Sequence, residues 1–164
     1  MIFVTVGTER FPFDRLIKAI DDAVRGGRIE GDIFAQTGRC TYKPLSFSFK
    51  DFISFQDVAK YISQADIVVS HAGVGSTLLP LTMNKIPILF PRKHFLGEHL
   101  DNHQVEFSKQ IEKTGKVIVA HDEAQLIEKI NNYHKIVATL KPNLRSSRVE
   151  LVNYLKRCVA DWSD

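Results

Sequence analysis

The stretch Ala65-Asp66-Ile67-Val68-Val69-Ser70-His71-Ala72-Gly73-Val74-Gly75-Ser76-Thr77 runs from a short apolar segment into a polar, glycine-rich turn and on into a helix-like segment. The apolar run predicts a buried strand, and the glycines predict a tight corner at which backbone can approach a ligand closely. A helix that starts there presents free amides and the positive end of its dipole, which favour an anion. The corner is thus a candidate seat for the phosphates of a nucleotide or nucleotide-sugar.

The same alternation extends in both directions. Ile2 to Val6, Ile33 to Gln36, Ile67 to Ser70, Ile86 to Phe90 and Val117 to Ala120 read as strands. Phe13, Leu16, Ile17, Ile20 and Val24 recur at helical spacing and stop at Gly26-Gly27, and the segment holding Val105 and Ile111 closes at Gly115. A helix is expected to start near Asp57, another over Leu126 to Tyr133, and a last one from Arg145 to Val159, after Lys141-Pro142-Asn143. Strands alternating with helices predict an α/β fold: a Rossmann-like parallel sheet covered by helices on both faces. With 164 residues, 44% hydrophobic and 25% charged, one domain spanning 1–164 is expected.

Ligands of such sheets bind beyond the carboxyl ends of the strands. There the sequence places Gly7-Thr8-Glu9-Arg10, Thr37-Gly38-Arg39, the His71 corner and Pro91-Arg92-Lys93. The net charge of +3 comes without a run of like charges, which argues against nucleic acid as the main partner. No apolar run approaches the roughly 20 residues of a membrane helix, and the N-terminus lacks the basic and small-residue pattern of a signal peptide, so a cytoplasmic location is expected. Cys40 and Cys158 stand far apart and outside any metal-ligand spacing, which reads as two reduced structural thiols. A dinucleotide fingerprint needs three glycines after the first strand, where only Gly7 stands, and no Gly-Lys-Ser/Thr follows Gly73 or Gly75. NAD and ATP are both disfavoured.

A second cluster, Pro91-Arg92-Lys93-His94-Phe95-Leu96-Gly97-Glu98-His99-Leu100-Asp101-Asn102-His103-Gln104, narrows the ligand. His-Ala-Gly-x-Gly-Ser, then about twenty residues, then Pro-Arg, Gly-Glu-His and Asp-x-His-Gln resembles the C-terminal, donor-binding half of the GT-B glycosyltransferases of family 28. Val4-Thr5-Val6-Gly7-Thr8 and Phe13-Asp14-Arg15-Leu16 extend the likeness over roughly the first 120 residues. Within that family the chain resembles stand-alone soluble subunits of two-subunit UDP-sugar transferases, both in the dolichol pathway and in bacterial capsule and exopolysaccharide synthesis.

The resemblance implies a donor-binding catalytic subunit of an inverting UDP-hexose or UDP-N-acetylhexosamine transferase, with a membrane-anchored partner presenting a lipid-linked acceptor at the inner membrane face. A non-catalytic enhancer or docking subunit is the alternative. It implies that Gly7 and Thr8 lie near the diphosphate and that Gly73, Gly75, Ser76 and Thr77 cradle it. Phe55 falls where the family holds uracil through backbone groups, and Asp101, His103 and Gln104 fall at the transferred sugar. Leu79 stands where fuller members carry a ribose-binding glutamate, so Glu98 is expected to replace it, and Arg92 to offset leaving-group charge. His71 is the internal candidate for a general base, with Glu98 and His99 behind it, although by family analogy the base belongs to the partner. The absence of an Asp-x-Asp pair predicts activity without a metal or other cofactor.

Overall fold

Four residues, Ile2–Thr5 (β1), open the sheet, and the chain then alternates strand with helix. The computed structural model describes residues 1–140, with α1 (Asp14–Arg25), β2 (Ile33–Gln36), β3 (Ser48–Lys50), α2 (Phe55–Gln64) and β4 (Ile67–Ser70) following in turn. After them come α3 (Val74–Thr82), β5 (Ile88–Leu89), a 3-10 turn (His94–Leu96), α4 (His103–Glu112), β6 (Ile118–Val119), α5 (Glu123–Asn131) and α6 (Tyr133–Leu140). The helix expected from Arg145, and Cys158 with it, lies outside the described residues.

All six strands of the described residues are parallel, in the order β3-β2-β1-β4-β5-β6. The chain winds outward from β1 in one direction and from β4 in the other. Their shared carboxyl edge, where Thr5 pairs with Ser70, is therefore the point at which the strand order reverses and a crevice opens.

Side chains on the strands alternate between two cores, as the pleat requires. Ile2, Val4, Ile67, Val69, Ile88 and Ile118 point to one face, where Leu16, Ile17 and Ile20 of α1 and Leu126, Ile127 and Ile130 of α5 cover them. Phe3 and Val68 point to the other, against Ile62 of α2 and Leu79 of α3, while Leu89 and Val119 meet Phe107 and Ile111 of α4. Each fully buried aliphatic side chain contributes about 1.5–3 kcal/mol. Burial on both faces explains why these strands read as unbroken apolar runs.

Three features differ from the sequence reading. β3 was not anticipated: Ser48-Phe49-Lys50 is a short polar strand at the sheet edge, where one side pairs with β2 and the other meets solvent. The stretch expected as one helix from Leu126 to Tyr133 is two, because α5 starts earlier, at the Asp122 cap, and stops at Asn132 before α6. The ladder in β5 and β6 is shorter than Ile86 to Phe90 and Val117 to Ala120, although Phe90 and Ala120 still donate to Ser70 and Leu89. No helix among the described residues is long and apolar enough to cross a membrane.

Candidate functional site

The loops at the carboxyl ends of β1 and β4 meet around one imidazole. His71 leaves β4 almost fully buried, with Nδ1 3.4 Å from the Thr5 carbonyl and Ser76 Oγ 3.4 Å away. The next residue, Ala72, takes a left-handed φ of +63°, a local strain of about 1–3 kcal/mol that reverses the chain into α3. Gly7 and Gly73 lie against the ring, so that a Cβ on Gly7 would fall 2.5 Å from His71 Cε1 and one on Gly73 would fall 2.4 Å from Nε2. Neither position tolerates a side chain while the ring stays in place.

Gly7 is fixed from below as well. Its φ is +73°, its amide donates to Thr5 Oγ1 at 3.1 Å, and its carbonyl accepts from Gln36 Nε2 at 3.0 Å. Gly38, in the turn two residues past β2, packs so closely that a Cβ there would reach the Gly7 carbonyl at 2.7 Å. Thr8 is exposed on this platform.

At the start of α3, Gly73 is the N-cap and offers no side-chain cap. The Gly73 carbonyl accepts from the Thr77 amide at 2.9 Å and from both the Ser76 and Thr77 hydroxyls, at 3.1 and 2.9 Å. The amides of Val74, Gly75 and Ser76 precede the first intrahelical bond and are the donors a helix start leaves for an anion. Gly75 is exposed, and a Cβ there would meet nothing within 4 Å. Gly73, Gly75, Ser76 and Thr77 thus share one helix start with Gly7 and Thr8 opposite. The Thr77 side chain, being buried on Gly73, offers its position rather than a free hydroxyl.

Burial, reinforced by the charge on Arg92, pushes the His71 imidazole down to about 3. It is a neutral ring at physiological pH, a weak proton acceptor and a good wedge between two glycine turns. This geometry places His71 as a structural element of the cradle and speaks against the general-base role.

The loop after β5 corrects two expectations. Arg92 is 0% exposed: its Nη atoms donate to the carbonyls of Val6, Phe11, Pro12 and Glu98 at 2.8–3.2 Å, and its guanidinium lies 4.7 Å from the Phe13 ring centroid. It faces inward and ties the first turn to the fourth, so it is not placed to meet a leaving group. Glu98 is likewise engaged, with Oε1 and Oε2 accepting from Arg15 at 2.7 and 2.9 Å and Oε2 also from the Lys93 amide at 2.9 Å. Its expected roles as ribose acceptor and as reserve base give way to that ion pair. Leu79, at the position of the missing glutamate, packs on the Phe3, Ile62 and Val68 core.

The remaining expected residues divide. Asp101 lies at the start of α4, its carboxylate 2.9 Å from His99 Nδ1 and 3.0 Å from His103 Nδ1, accepting the His103 amide at 3.0 Å. Against partial burial, that amide and the two imidazoles hold it below the ordinary carboxylate range. His103 is exposed, whereas Gln104 turns inward and its Oε1 accepts the Arg92 amide at 3.3 Å. Phe55 is the first residue of α2, two positions earlier than expected, behind the Ser54 cap and with a side chain 73% exposed. Cys40 is a buried free thiol, raised to about 11 by burial, as a structural cysteine would be. Arg15 is the residue the sequence reading missed; a lone arginine in the first turn of α1 gave no sign that it reaches the Gly-Glu-His segment.

A 420 Å³ cleft opens at the opposite, amino edge of the sheet, lined by Met1, Arg28, Asp32, Asp66 and His134 among others; none of the expected site residues lines it. The candidate site is the open carboxyl edge. Among the described residues no group of three or more His, Cys, Asp or Glu side chains is arranged to hold a metal.

Known proteins share both sequence and fold. The UDP-N-acetylglucosamine transferase subunit ALG13 of Homo sapiens is 37% identical over 126 residues, which are 70% of this chain and 10% of that protein. Its counterpart in Yarrowia lipolytica is 32% identical over 81 residues, 49% of this chain and 39% of that one. The chain therefore spans only a minor part of the length of these relatives. Among solved structures, the calicheamicin glycosyltransferase CalG4 superposes with a TM-score of 0.59 at 14% identity, over 96% of this chain and 43% of that one. Acinetobacter baumannii MurG gives 0.58 at 17%, over 89% and 45%. These likenesses identify the sheet as the fold of one half of a GT-B glycosyltransferase. The model of the glycosyltransferase family 28 C-terminal domain matches residues 1–155, and the chain belongs to that family.

Proposed function

We propose that this chain is the donor-binding catalytic subunit of an inverting glycosyltransferase that moves a hexose or N-acetylhexosamine from a UDP-sugar to a lipid-linked acceptor. The observation that carries the reading is the cradle in which Gly7 and Gly73 close on a neutral His71 and leave the α3 amides open beside Gly75. Hydrogen bonds to a charged phosphate are worth about 1.5–3 kcal/mol each, so three or four from this edge account for micromolar binding. The likeness to subunits named for UDP-N-acetylglucosamine transfer supports a UDP-sugar as donor.

In the transfer, the acceptor oxygen attacks the anomeric carbon, its proton passes to a base, and the bond to the diphosphate breaks with the electron pair leaving on UDP. This chain supplies the leaving-group side. With Arg92 committed to backbone carbonyls, the developing charge on UDP falls to the amides and dipole of α3, which need no divalent cation. Gly7 and Thr8 close on the same diphosphate, Phe55 marks the uracil end through its backbone, and Asp101 and His103 reach the hexose. The acceptor site and the base belong to a membrane-anchored partner subunit, which holds this chain at the cytoplasmic face of the membrane during polysaccharide synthesis.

The test is co-expression with a candidate membrane subunit and transfer of labelled sugar to lipid. Transfer that needs both chains and persists in chelator is expected. Transfer abolished by chelator and restored by manganese would overturn the metal-independent reading, and full transfer by the partner alone would make this chain an enhancer.

A further inference from the structure

The charged residues behind the β5–α4 loop are not explained by phosphate binding. Arg15 sits in the first turn of α1, yet its guanidinium crosses to that loop. Nε and Nη2 donate to Glu98 at 2.7 and 2.9 Å, Nη2 donates also to the Pro91 carbonyl at 3.0 Å, and the guanidinium lies 4.2 Å from the Phe90 ring centroid. Glu98 passes the constraint on by accepting the Lys93 amide. The two side chains are only 15% and 8% exposed, so this is not a screened surface contact.

A shielded ion pair adds little net stability over apolar packing, but a fork-to-carboxylate pair fixes geometry in two directions at once. What this pair fixes is the stretch 91–98, which leads within a few residues to Asp101, His103 and Gln104. The diphosphate seat rests instead on β4, α3 and the Gly7 turn, none of which bonds to Arg15 or to the Glu98 carboxylate.

We propose that Arg15 and Glu98 are positioning residues for the sugar end of the donor, holding Asp101 and His103 where a hexose is read, and that they leave the diphosphate end unaffected. This rests on the nucleotide-sugar reading above. It assigns to the pair a part of the binding that depends on the hexose being present.

Calorimetry on the full chain tests it, titrating UDP and, separately, UDP-glucose, UDP-galactose and UDP-N-acetylglucosamine into wild type, Arg15→Lys, Arg15→Gln and Glu98→Gln. UDP affinity is expected to stay within about twofold, while the ratio of UDP-sugar to UDP affinity for the best-bound sugar falls about tenfold in Arg15→Gln and Glu98→Gln, as sub-ångström misplacement of contacts produces, and less in Arg15→Lys. Equal loss of UDP and UDP-sugar, or an unchanged ratio, would overturn the proposal. Should Arg15→Gln fail to fold, Glu98→Gln carries the test, because the amide oxygen still accepts from Lys93. A wild-type chain that binds neither UDP nor any UDP-sugar overturns the nucleotide-sugar reading itself, an outcome distinct from either result above.

Discussion

The corner between β4 and α3 and the loop between β5 and α4 both carry the residues expected to bind a donor, yet they are built in opposite ways. The corner offers a candidate anion backbone amides, held in place by neutral side chains around a neutral ring, and places no charged side chain in the seat. The loop holds many charges and turns two of them inward, with Arg92 on carbonyls and Glu98 on Arg15. In a parallel sheet the charge that shapes a site need not be the charge that touches its ligand. Amides at a helix start carry no net charge and bond an anion directly when it covers them, whereas an interior arginine must be offset by acceptors, here four carbonyls on the Nη atoms while Nε is left without a partner.

Removing the inward charge separates the two regions most sharply. Arg92→Met strands the carbonyls of Val6, Phe11, Pro12 and Glu98, and a loss of about 3–5 kcal/mol is expected in denaturant unfolding. A loss under about 1 kcal/mol would show that those carbonyls find other partners. Within the corner, Gly73→Ala forces a Cβ to 2.4 Å from His71 Nε2, and about 1–3 kcal/mol should be lost as the ring moves.

Neutral His71 gives the corner a pH dependence. Its folded value of about 3 lies below the ordinary 6.5, so the unfolded chain takes up the proton first. This contribution is intact above pH 6.5 and is lost as pH falls toward 3, at a slope of at most about 1.4 kcal/mol per unit. Thermal melts of wild type and His71→Gln between pH 7 and about pH 4.5, above the range where most carboxylates titrate, should differ in slope, the variant being flatter. The smallest effect belongs to Gly75→Ala. With nothing within 4 Å of its Cβ and a helical position to fill, its stability should hold or rise by up to about 1 kcal/mol.

The corner was legible because its signal is local: an apolar run buried on both faces, then glycines, then a helix. The parallel sheet and its helical layers followed from the same alternation, as did the convergence of four turns at one edge. The polar edge strand β3 was not legible, since Ser48-Phe49-Lys50 pairs on one side only and carries no apolar pattern. Arg15, Arg92 and Glu98 were misjudged for a different reason. Their partners lie 76 to 86 positions away in sequence or are backbone carbonyls, and residue type alone does not say whether a charge faces solvent or the core.

The glycines sharpen the central claim. Gly7 and Gly73 are required by the fold, because His71 fills the space beside them, but Gly75 has open space where a side chain would go. Gly75→Asp therefore places a carboxylate at the proposed diphosphate seat without disturbing the packing, and opposes a bound anion at the helix start. Calorimetric titration of UDP into wild type and Gly75→Asp, with melting curves to show equal folding, is the most direct measurement. Micromolar binding by wild type and a loss of about tenfold or more in the variant are predicted; UDP binding of equal strength by both would contradict the assignment of the β4–α3 corner.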